Sequence, residues 1–130
     1  NPKRSGGACF IASHPGDETH KPIALEAEMK FWLTNHVGKA QQITFNAPES
    51  VPVAQQSLEL AATSDAGLPV FFYVREGPAV VSGRRLQFTS IPPRARFPVK
   101  VTVVAWQWGR PFEPKIQSAV PVERTILITR

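Results

Sequence analysis

The sequence predicts a mainly β protein, an antiparallel sandwich preceded by one amphipathic helix. From residue 41 onward, short runs rich in β-branched and aromatic residues recur, each bounded by Gly, Pro, Ser or Asp. No helical period separates them, which favours antiparallel strands over a βαβ arrangement. Thirteen prolines point to loops and edge strands rather than a helical bundle. A hydrophobic fraction of 42% over 130 residues suffices for a domain core and excludes wholesale disorder.

The helix is expected over residues 21–37, "KPIALEAEMKFWLTNHV". Pro22 suits a first turn, Thr19 a cap ahead of it, and Gly38 a stop. Leu25, Met29, Trp32 and His36 follow spacings of four, three and four, with Leu33 beside them, and form one apolar stripe. Such a stripe needs a partner, either the downstream domain or one upstream.

After Lys39 the pattern changes. Strands are expected at 41–45, 58–64, 68–76, 79–83, 85–90, 97–108 and 124–129, with a hairpin through Ser82–Gly83 in "VVSGRRLQF". The chain therefore divides into an N-terminal loop-and-helix segment, residues 1–40, and a sandwich, residues 41–130. Val70, Phe72 and Val74 share one parity, as do Val99, Val101, Val103 and Ala105, and these are the expected core faces.

Trp106 and Trp108 then fall on the opposite face, and so do Phe71 and Tyr73. If the two strands are neighbours, four aromatics line one outer surface, the usual mark of an interaction site. Three readings follow: the N-terminal segment or a neighbouring domain covers the rings; they stack on sugars; or a bulge near Ala105 turns one Trp inward.

Lys and Arg number 15 against 10 acids, a formal net charge of +5. Residues 71–130 hold ten of the bases and three of the acids, with knots at Arg84–Arg85 and at Arg94 and Arg96. That excess suits an anionic partner such as an acidic polysaccharide, with Arg84, Arg85 and Arg96 as contacts. No nucleic-acid motif accompanies it, so it reads as a solvated basic face rather than a nucleic-acid site. No apolar run approaches the ~18 residues of a membrane span. Beginning at Asn1 with no signal peptide, the chain reads as a mature or excised segment. The single cysteine, Cys9, excludes an internal disulfide and a CxxC metal framework and reads as a small buried residue.

The remaining candidate chemistry is "ASHPGDETHKP", residues 12–22. His14, Asp17 and His20 are residue types that hold a metal, though at no recognised ligand spacing. Otherwise nothing in the chain calls for a cofactor. His36, at the helix end, reads as a partly buried or dipole-favoured residue.

Residues 62–110 resemble the repeat unit of bacterial immunoglobulin-like domains. The matching pieces are Gly67–Val70, Gly77–Ala79, Gly83, Leu86–Thr89, and Val101, Val103, Ala105, Gln107 and Gly109, with "AVPVERTILI" (119–128) as the closing strand. The insert "SIPPRARFP" is longer and more basic than that pattern has. The resemblance covers residues 41–130. It implies an immunoglobulin-like sandwich serving as a binding, accessory or spacer module beside a secreted or periplasmic bacterial enzyme. Its partners would be a polysaccharide or the neighbouring catalytic domain.

Residues 1–38 read as the tail of a preceding domain: "SHPGDETHKPIALEAEMKFWLTNHVGK" (13–39) is similar in layout to the C-terminal tail of an α/β-hydrolase, which would make His14 the catalytic histidine, with His20 as second choice. No G-x-S-x-G elbow exists in this chain to complete such a site.

Overall fold

The computed structural model describes residues 5–32 and 34–130, with the side chains of 8–27 and 34–130. It divides the chain into two compact units, Asn1–Thr34 and Asn35–Arg130.

In the first unit, β1 (Ser5–His14) pairs antiparallel with β2 (Ile23–Trp32), from Ser5↔Trp32 to His14↔Ile23. The helix expected over 21–37 is therefore corrected: no helix occurs among the described residues, and its central part is a strand. The physical reason lies in the residues themselves. Ile23, Leu25, Ala27, Met29 and Phe31 alternate with Ala24, Glu26, Glu28 and Lys30, a period of two as well as the helical period. Residues 5–14 supply a full antiparallel ladder for them. Pro22 stands just ahead of the strand, where its missing N–H costs no ladder bond. His36 lies in irregular, exposed chain; the side chains of Met29, Trp32 and Leu33 lie outside the described residues. Cys9, expected to be buried, is exposed, as are Phe10, Ile11, Ile23 and Leu25.

In the second unit, one sheet has the order β4-β11-β10-β7, built from β4 (Ser50–Pro52), β7 (Phe71–Glu76), β10 (Val99–Trp106) and β11 (Val122–Thr129). Its pairings are antiparallel except β4 with β11, which is parallel. The other strands are β3 (Ile43–Asn46), β5 (Ser57–Glu59), β6 (Ala61–Ser64), β8 (Ala79–Ser82) and β9 (Arg85–Phe88), all antiparallel. They pair as β3-β6 and β5-β9-β8.

Buried residues from several strands gather in an apolar core. It includes Val101, Val103 and Ala105 of β10, Ile126 and Ile128 of β11, Ile43 and Phe45 of β3, Ala79 of β8 and Leu86 of β9. Phe72 packs on this core with its ring 5.3 Å from that of Phe45. Val70, Val74 and Val99 also pack against it, as their parity requires. Each large side chain so buried contributes about 1.5–3 kcal/mol. β10 is central, so Thr102 and Val104 on its outer side are buried too, flanked by their register partners on β11 and β7.

The β8–β9 hairpin turns through Gly83–Arg84, between the paired Ser82 and Arg85. Gly83 has φ +60°, a left-handed conformation that glycine adopts without steric cost.

Candidate functional site: an aromatic face on the four-stranded sheet

Antiparallel pairing sets Trp106 directly opposite Phe71, and Val104 opposite Tyr73. Directly opposed residues share a face, so Phe71, Tyr73 and Trp106 lie together on the side away from the core. The register irregularity in this pair falls between Thr102 and Val103, upstream of Ala105. Residues 103–106 keep regular alternation, and Trp106 is not turned inward.

Three rings gather there. Phe71 and Trp108 are stacked, with centroids 4.9 Å apart and planes 14° apart. Trp106 lies 5.6 Å from Phe71 at 41°, and 5.0 Å from Trp108 at 55°. Contacts of this geometry are worth about 0.5–1.5 kcal/mol each beyond burial. The cluster is nonetheless open: Trp108 is 53% exposed, Tyr73 48% and Phe71 36%.

Trp108 follows the end of β10, and its position is fixed by the backbone around it. Gln107, of core parity and buried, donates from its amide nitrogen to the Pro69 carbonyl and accepts the Gly109 N–H at 2.9 Å. The Ser118 hydroxyl donates to the carbonyl of Trp108 and accepts the Asn35 N–H at 2.8 Å. The Asn35 side chain donates to Ile116 O at 2.8 Å, and Arg110 and Ile116 exchange backbone hydrogen bonds of 2.8 and 3.0 Å. Lys39 N–H donates to Lys115 O at 2.9 Å. Residues 35–39 thus brace the 107–118 loop as an added backbone segment. Gly109 has φ +82°, and a Cβ there would run into the Ile116 carbonyl.

Beside the rings, Arg75 Nη1 meets Glu123 Oε2 at 2.8 Å. Sequence reasoning missed this ion pair, although Arg75 follows Phe71 and Tyr73 at the same parity. The arginines expected as sugar contacts lie elsewhere in the unit: Arg84 and Arg85 at the β8–β9 turn, and Arg96 in the loop between β9 and β10. Guanidinium groups do stack on rings, Arg110 on Phe112 at 4.7 Å and Arg130 on Phe97 at 4.8 Å, but neither ring belongs to the cluster.

The other candidate residues form the loop of the first unit. Asp17 Oδ1 accepts the N–H groups of Thr19 and His20 at 2.9 and 2.8 Å and the Thr19 hydroxyl at 2.9 Å. His20 Nδ1 lies 2.9 Å from the same oxygen. The His20 ring, followed by the Thr19 donors, holds the Asp17 carboxyl down at about 2. His14 Nδ1 instead accepts the Gly16 N–H at 3.0 Å. These residues line an open cleft of about 610 Å³, yet no group of three His, Cys, Asp or Glu among the described residues is arranged to hold a metal. Thr19 Oγ1 lies 2.8 Å from His20 Nδ1, the nitrogen that also faces Asp17. A nucleophile–base–acid relay needs its two partners on opposite ring nitrogens, so this cluster closes a turn.

Comparison with protein-family models, curated proteins and solved structures found no match to this chain.

Proposed function

We propose that residues 35–130 are an immunoglobulin-like accessory module that binds polysaccharide through Phe71, Trp106 and Trp108. In this reading it serves an exported bacterial enzyme and takes no part in the chemistry. The observation that carries it is the open ring cluster. Three large rings contact one another on an outer sheet face while more than half of Trp108 stays in solvent. Rigid aromatic faces give large contact area at low entropic cost, which suits the apolar face of a sugar ring.

The strand order supports the fold half of the proposal. β5 and β6 are separated by Leu60 alone, and the Leu60 N–H donates to Arg84 O at 2.7 Å, so the two read as one interrupted strand. The second sheet is then β3, β5/β6, β9, β8, facing a sheet that contains β7, β10 and β11. Numbered along the chain, this order parallels the ABED and CFG sheets of a constant-type immunoglobulin sandwich, with β4 as an added strand beside β11. Export and the link to an enzyme rest on the sequence resemblance.

The test is retention of the purified chain on a panel of soluble and insoluble polysaccharides, beside a Trp106→Ala/Trp108→Ala variant whose fold is checked by circular dichroism. Binding by the parent and its loss in the folded variant is the expected result. Absence of binding, or equal binding by both, overturns the proposal and leaves the rings as a surface that packs on a neighbouring domain.

A further inference from the structure

We infer, building on the proposed polysaccharide binding, that the site grips a single sugar ring of a hydrated, uncharged glycan chain rather than the surface of a crystalline polysaccharide. The ring geometry decides between the two. A crystalline face offers many sugar rings in one plane, and a protein that lies on it needs several exposed rings side by side and coplanar. Here the two nearly parallel rings are stacked, Phe71 against Trp108 at 4.9 Å, so each covers a face of the other. Trp108 is the more exposed of the pair, 53% against 36%, and so is the ring with more area left for a ligand. Trp106 is tilted from both, by 41° and 55°, and cannot extend that plane. One face with an oblique neighbour matches one sugar ring, stacked on Trp108 and touched at its side by Trp106.

The charge of the ligand follows from the neighbours. Arg75 and Glu123 compensate each other at 2.8 Å, and Arg110, two residues beyond Trp108, is held over the Phe112 ring. An anionic sugar would have to draw Arg75 from Glu123 or Arg110 from Phe112, whereas a neutral one disturbs neither. Tyr73, two residues along β7 from Phe71 and about 7 Å on, is half-exposed, and its side chain ends in a hydroxyl of the kind that bonds a sugar hydroxyl.

The experiment is affinity electrophoresis of the full chain through gels containing hydroxyethylcellulose, galactomannan or polygalacturonate, run beside depletion by microcrystalline cellulose and crystalline chitin. The expected result is retardation by at least one neutral soluble polymer and no depletion by the crystalline solids. Trp108→Ala weakens retardation at least tenfold, and Trp108→Phe, which keeps a ring face, recovers part of it. Depletion by a crystalline solid without retardation by the soluble polymers overturns the single-ring inference and leaves polysaccharide binding standing. Stronger retardation by polygalacturonate than by the neutral polymers overturns the uncharged assignment. If no polymer, soluble or crystalline, retains the chain, polysaccharide binding itself fails and takes this inference with it.

Discussion

Gln107 joins the end of β10 to the segment that leads into β7: its side chain bonds the carbonyl of Pro69 while also holding the N–H of Gly109. The position alternates in phase with Val101, Val103 and Ala105, so the strand delivers a polar amide to an inward site where only satisfied polar groups are tolerated. Gln107→Leu keeps the approximate volume and removes both bonds. It is expected to lower stability by about 1–3 kcal/mol, read as a lower urea midpoint at unchanged slope.

Gly109 and Gly83 separate two costs that glycine replacement carries. Both have positive φ, +82° and +60°. A Cβ at Gly83 meets nothing within 4 Å, whereas at Gly109 it strikes the backbone of Ile116 and Gln117. Gly83→Ala should lose only the left-handed term, about 1–2 kcal/mol. Gly109→Ala loses that and also disturbs the Arg110–Ile116 pairing. Thermal unfolding should place its Tm below that of Gly83→Ala by at least ~4 °C.

Cys9 is exposed but should be a slow thiol. Its Sγ donates to Glu26 Oε1 at 3.1 Å, and this bond, with a smaller contribution from desolvation, raises its pKa above the ordinary value. Less thiolate is then present at pH 8, and thiolate is the reactive form. Glu26→Gln should accelerate alkylation by iodoacetamide at that pH. Equal rates in the two proteins would show that the carboxylate does not hold the thiol proton.

The loop joining β1 and β2 should be acid-sensitive in a low window. The Asp17 pKa is depressed from 3.8 to about 2, chiefly by His20 and then by Thr19. The loop's stabilisation by the carboxylate is complete above about pH 4 and is lost as pH falls through about 2. The amide resonances of Thr19 and His20 should titrate with a midpoint near pH 2. In Asp17→Asn that transition should vanish.

Strand positions in the second unit were legible because the alternation is clean. Val101, Val103 and Ala105 against Thr102, Val104 and Trp106 fix which side chains share a face, and the pairing with β7 then sets Phe71 opposite Trp106. The Phe71–Trp108 stack was not legible, because it depends on how Ser118 and Asn35, far apart in sequence, hold the chain after β10. The helix failed for a different reason. In residues 23–32 the periods of two and 3.6 both find apolar residues, and only the long antiparallel partner at residues 5–14 decides between them. The arginine knots could not be placed from the sequence, because adjacency along the chain says nothing about which sheet or loop lies beside which.

The parallel pairing of β4 with β11 also shapes how the second unit would respond to tension. Leu127 donates to Glu49 O at 2.9 Å and Val53 to Thr129 O at 2.7 Å, so an early strand and the last strand run side by side in the same direction. Pulling residue 49 and residue 130 apart drags these strands past each other along their length. The bonds between them are then loaded together in shear rather than opened one at a time. A tether built from this unit would resist stretching along that axis and yield more readily to peeling across it.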